Sequence, residues 1–145
     1  MPIDAALILR ASSSLLTTET TTAIEVEGGS MADLVVQWTA ATGTSPTADC
    51  ELEVAVDGGS TYVALIKLRQ FVGTDDAVSP RTRFVVRRPV WIPQNTEADT
   101  WAGGLNRTLV RLKSTVGGSD TPTFANFEAY LDQFSGGSTR GYEQL

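Results

Sequence analysis

Hydrophobic and polar residues alternate with a period of two through most of the chain. Leu34, Val36 and Trp38 fall on one side of a strand, with Val35, Gln37 and Thr39 on the other. Cys50, Leu52, Val54 and Val56 make a second run, interleaved with Asp49, Glu51, Glu53 and Ala55. That is the apolar-in, acidic-out pattern of an antiparallel strand with one solvated face. Tyr62–Leu68 continues as a third strand, joined to the second by the tight hairpin Asp57-Gly58-Gly59-Ser60, whose glycines supply positive φ. Long strands are predicted over Arg81–Trp91, Thr108–Val116 and Phe124–Phe134. Two more, rich in β-branched residues, are predicted over Ala5–Arg10 and Thr20–Glu27.

No window carries a capped helical stripe. The segment PQNTEADTWAGG breaks the alternation, and a short helix or irregular turn is expected near Glu97–Gly104. Phe71–Pro80 reads as a long polar loop. Short strands divided by Gly, Pro and Ser turns predict an all-β fold, an antiparallel β-sandwich of jelly-roll-like arrangement. Residues 1–134 are expected to form this one domain, with an N-terminal arm, and residues 135–145 (SGGSTRGYEQL) a flexible tail.

A weak internal echo accompanies the strands. TGTSPTADCELEV (Thr42–Val54) resembles GGSDTPTFANFEAYL (Gly117–Leu131) once a residue is inserted. Each copy follows an alternating strand, LVVQWTA or TLVRLKS, and continues through Pro-Thr into another. Two equivalent hairpins would give this pattern, and so would a coincidence of turn chemistry.

Composition narrows the function. The chain has 145 residues, enough for one domain with a core. Charged residues make up 19%, and 19 Thr, 11 Ser and 13 Gly take their place, which favours strands and turns. No apolar run approaches the roughly 18 residues that span a bilayer, so no membrane partner is expected. The opening MPIDAALILRASSS lacks a basic region before its apolar patch, and no secretory signal is expected. A net charge of −6 argues against a nucleic-acid partner. Histidine is absent, which removes the commonest general base and metal ligand, so the chain is expected not to be an enzyme and to carry no cofactor. Cys50 is single and in phase with Leu52 and Val54, so a buried, inert thiol is expected.

Candidate chemistry is sparse. Ala55–Tyr62 resembles the Asp-box hairpin, in which Asp57 and Thr61 tie the turn Gly58-Gly59 to local backbone groups and Tyr62 packs beneath it. This is a folding device. The acidic rows Glu51/Glu53 and Glu25/Glu27 are no glycosidase pair, because residues two apart on a strand share one solvated face instead of facing each other across a cleft. Calcium ligation by Asp49 or Asp75-Asp76 lacks an EF-hand spacing. Arg81, Arg83, Arg87 and Arg88 form the one dense basic feature, with Arg88 on the face opposite the other three. Two readings stay open for them: ion pairs with the chain's own acidic strands, or docking onto an acidic surface. Trp91 and Trp101 flank the irregular segment and read as core or interface anchors, or as sugar-stacking rings. Trp38 reads as core.

The succession LRA…LLTTETTTAIEVEGG, ATGTSPTADCELEVAVDGGSTY, R-x-R-F-V-V-R-R and VGGSDTPTF resembles small β-sandwich virion proteins of tailed bacteriophages, the capsid decoration (cement) proteins among them. Ala55 and Tyr62 depart from the Ser and Trp of the family's usual hairpin, and the Trp91–Gly104 segment is longer. The resemblance implies a structural protein made in the host cytoplasm and placed on the capsid surface. It would bind the major capsid protein, associate with itself as a homotrimer, and use Arg81, Arg83, Arg87, Arg88, Trp91 and Trp101 at the interface. A tail or connector component and a carbohydrate-binding adhesion module remain the alternatives.

Overall fold

The computed structural model describes residues 7–57, 59–72, 84–94 and 107–133. Among these residues nine strands form: β1 (Ile8–Leu15), β2 (Glu19–Thr20), β3 (Ile24–Glu27), β4 (Ser30–Trp38), β5 (Ala40–Ala55), β6 (Val63–Lys67), β7 (Phe71–Val72), β8 (Phe84–Ile92) and β9 (Arg107–Gln133). All pairings are antiparallel, and the strands belong to one sheet whose main path runs β6-β5-β9-β4-β8. The all-β, single-domain expectation is met.

The spine is β9. The two strands expected at Thr108–Val116 and Phe124–Phe134 are one continuous strand, because Gly117-Gly118-Ser119-Asp120 bends without reversing. Along one flank, β4 and β5 pair with it from Ala32↔Gln133 to Ala55↔Leu109, with register shifts only between Thr42 and Thr47. Along the other flank, β1, β2 and β3 follow in turn. The predicted strand Thr20–Glu27 is therefore split in two, and Ala5–Arg10 becomes Ile8–Leu15.

The two copies of the internal echo do not each form a hairpin. They pair with each other: Thr42 lies opposite Thr123 and Thr47 opposite Gly117. Where they cross, each copy sets a glycine against the other's proline. A Cβ on Gly43 (φ +106°) would lie 2.8 Å from Cα of Pro122, and one on Gly118 (φ +114°) 2.7 Å from the carbonyl oxygen of Ser45 and 3.2 Å from Cα of Pro46. Only glycine accepts both the backbone angle and the approach. Ser45, Asp120 and Thr121 also take positive φ, so both strands bulge and bend here together. The bend divides the sheet into two halves, β6-β5-β9 and β9-β4-β8, which share one core.

Trp38 sits at the centre of that core. Its ring lies 4.8 Å from Phe71, 5.7 Å from Phe124 edge-on and 6.2 Å from Phe127. Such aromatic pairs add about 0.5–1.5 kcal/mol each beyond area burial. Phe71 corrects the sequence reading: with Val72 it pairs with Thr47 and Ala48 and is fully buried, where a polar loop was expected. Residues 73–80, the expected helix at 97–104 and the expected tail at 135–145 lie outside the described residues.

Candidate functional site

Among the interface candidates, Arg81, Arg83 and Trp101 lie outside the described residues, whereas Arg87, Arg88 and Trp91 all sit on β8. This strand pairs with β4 through nine successive Cα partners, from Ser30↔Ile92 to Trp38↔Phe84, with no register shift. No strand pairs with its other side among the described residues. β8 is thus a long, regular edge.

Side chains alternate along it. Val90 and Ile92 are buried on the core side, and Arg88 leaves the strand on that same side but is exposed, its long stem carrying the charge to water. Val85, Arg87 and Trp91 project from the outer face. Trp91 is 55% exposed and lies opposite Met31 of β4, itself 41% exposed, so the two form an apolar pair on the surface. Val85, 53% exposed, lies farther along the same row.

Arg87 is engaged within the chain. Its guanidinium donates to Asp33 at 2.8 Å and to Asp132 at 3.0 Å, bridging β8, β4 and β9. The hydrogen bond to Asp33, then that to Asp132, holds the guanidinium even more firmly protonated than usual. Beside them the Gln37 amide donates to the carboxylate of Glu128. Asp33, Asp132 and Glu128 outnumber Arg87, so the described part of this outer face is acidic in balance. The central strand of the face is closed: Val35 is fully buried yet stands outside the main core cluster, and Gln37 and Asp33 are nearly buried.

The Asp-box hairpin sits at the far end of the sheet, between β5 and β6. One carboxylate oxygen of Asp57 accepts the backbone N–H of Ser60 at 3.1 Å and of Thr61 at 3.0 Å. These bonds, Thr61's first, hold the Asp57 carboxyl below its ordinary pKa. Gly59 has φ +95° and sits against Leu109, and Gly58 lies outside the described residues. Tyr62 stacks on Arg111, with the guanidinium 3.7 Å from the ring centroid, and Arg111 in turn donates to Glu53 at 2.8 Å. The turn is local scaffolding.

The acidic row on β5 is likewise spoken for. Glu51 lies across from Lys67 and from Lys113, and Asp49 accepts the Gln70 amide at 3.0 Å. Among the described residues no three carboxylate or thiol side chains converge as metal ligands. Cys50 is fully buried beside Ser114, and burial pushes its thiol pKa up to about 12.

Sequence reasoning missed Arg10, which is 8% exposed. β1 shifts register three times along β9, and each shift leaves carbonyls without ladder partners. Arg10 fills them: it donates to the carbonyls of Ser13 at 3.0 Å, Ser14 at 3.1 Å and Phe127 at 2.5 Å, and pairs with Glu19 at 2.6 Å. Its guanidinium also lies 5.5 Å over the Phe127 ring. A lone cation between LIL and SSS was the available signal.

No protein-family model, no curated protein and no solved structure matches the chain.

Proposed function

We propose that the chain is a non-enzymatic virion protein of a tailed bacteriophage, a capsid decoration protein that binds the outside of the head and braces contacts between major capsid proteins. The sequence resemblance supplies the family. The observation that carries a binding role is the open edge of β8, where Trp91 and Met31 stand exposed side by side. Exposed aromatic anchors on a rigid strand are the usual material of a protein interface. In this reading the protein works as a homotrimer on the capsid surface and needs no cofactor, nucleic acid or membrane.

Mixing the purified chain with expanded heads that lack it tests the reading. Saturable binding to the shell, with a raised temperature of head disruption, is expected. Binding to tails or to a portal ring instead would move the chain to the tail or connector class. Exposed Trp91 also favours a second reading, stacking on a sugar ring. A glycan array with the unaltered chain and Trp91→Ala separates the two, because the decoration reading predicts no glycan signal.

A further inference from the structure

We infer that the β8 edge takes up an extended acidic segment of the partner protein as an added antiparallel strand, with a carboxylate opposite Arg88 and an apolar residue three places to either side of it. This rests on the reading of the chain as a protein-binding module.

The two arginines of the strand part company. Arg87 donates to Asp33 and Asp132 on the outer face, so its charge is answered within the chain. Arg88 leaves on the opposite face, is exposed, and has no carboxylate within ion-pair distance among the described residues. Its neighbours on that face are apolar: Val86 and Val90 along β8, and Leu34 across from it on β4. One reading open for the basic run, pairing with the chain's own acids, is taken by Arg87. The other, an acidic partner, is left to Arg88.

The backbone sets the register. The carbonyl of Ile92 accepts the N–H of Gly29, so Ile92 turns its backbone groups toward β4, and by alternation so do Val90, Arg88 and Val86. Val85, Arg87, Pro89 and Trp91 turn theirs the other way, where no described strand takes them up. Pro89 suits that set, because its missing N–H then breaks no bond to β4. An added strand therefore hydrogen-bonds at Val85, Arg87 and Trp91 and meets Arg88 in a non-hydrogen-bonded pair, the closer kind, with Cα atoms about 4.5 Å apart. A carboxylate at that place shares the face of Arg88 and lies within its reach. Three residues to either side, the added strand passes Val85 and Trp91 on the outer face, 53% and 55% exposed, and an apolar side chain covers each. A second copy of β8 does not qualify as the occupant, because its sequence FVVRRPVWI holds no carboxylate and would bring only arginines to Arg88.

The test uses the full chain and a seven-residue peptide with Glu at its centre, Thr on each side of it, then Val, and Leu at both ends, set between Ser-Gly flanks. Backbone amide hydrogen exchange at Val85, Arg87 and Trp91 is the readout. The peptide is expected to slow exchange at these amides; Gln in place of its Glu should weaken binding about threefold, and Lys should weaken it further. Arg88→Gln should erase the preference for Glu over Gln, while Trp91→Ala should weaken both peptides alike, about tenfold. No slowing by any peptide overturns the assignment, as does a Gln peptide that protects as well as the Glu peptide or a preference that survives Arg88→Gln. Equal protection by a peptide whose Glu is moved one place, to the face of Arg87, overturns the register. Protection by self-association without peptide overturns the choice of occupant. Arg88→Gln is then tested on expanded heads. If it occupies them as tightly as the unaltered chain, the assignment falls and the decoration reading stands. If the Glu peptide protects as described but the unaltered chain binds no heads, the edge chemistry stands and the decoration reading falls.

Discussion

β1 and β8 are the two outer strands of the same half-sheet, β1-β9-β4-β8, and they end it in opposite ways. β1 breaks register three times in eight residues, and a buried arginine closes over the carbonyls released. β8 keeps nine pairs in unbroken register, pairs with no second strand among the described residues, and exposes Trp91. Bulged edges resist pairing with another chain, while regular edges invite it. Among the described residues one edge is sealed and the other is left open.

Arg10 carries the sealed edge, and its removal should have the largest effect. Arg10→Met leaves the carbonyls of Ser13, Ser14 and Phe127 without a donor and Glu19 without its cation, at a cost of about 3 kcal/mol. Urea denaturation measures it. A loss as small as that from Trp91→Ala would break the contrast between the two edges. Gly118→Ala comes next, at about 2 kcal/mol, because its Cβ must avoid backbone oxygens of Ser45 and Thr44 at an angle L-residues rarely adopt. Gly43→Ala should cost a similar amount if the two crossings are equivalent.

Cys50, on β5, reports on the core that both halves of the sheet share. Its unfolded thiol ionises near 9.0, whereas the folded one is pushed up to about 12. The folded state thus holds its proton where the unfolded state releases it. Stability should fall as pH climbs between these values, and Cys50→Ala should flatten that alkaline limb. At pH 8 the thiol should react with a thiol-specific reagent only through opening of the core. Arg10→Met should speed that reaction, and Trp91→Ala should leave it unchanged.

Strand identity was legible because each strand buries one face, so Leu34, Val36, Trp38 and Cys50, Leu52, Val54 announce themselves locally. Continuity was not. Gly117-Gly118 carries the signature of a reversal, and only the partner strand alongside makes it a bend. The echo was visible in the same residues, yet whether its copies fold back or pair together depends on tertiary register, which no local pattern encodes. Phe71 looked like loop because its burial depends on Trp38 arriving from a distant strand. Arg10 was hidden for the same reason: its partners Ser13, Ser14 and Phe127 are backbone carbonyls, and a carbonyl has no letter in the sequence. On β8 the arginine pattern was plain, and the ion pairs of Arg87 match one of the two readings open for it.

The smallest effect belongs to Arg87, and it sharpens the comparison most cleanly. Arg10 and Arg87 are the same residue type, each bonded to carboxylate, but Arg87 keeps 46% of its side chain in water against 8% for Arg10. Solvent screens the Arg87 pairs and side-chain entropy opposes them, so a double-mutant cycle between Arg87 and Asp33 should give less than about 1 kcal/mol of coupling. The cycle between Arg10 and Glu19 should exceed it, because water reaches the buried Arg10 guanidinium poorly when Glu19 is removed. Arg87→Ala should also make the outer face more acidic while leaving the fold intact. Coupling of equal size in the two cycles would mean that burial is not what separates the edges, and the division into a sealed side and an open side would fail.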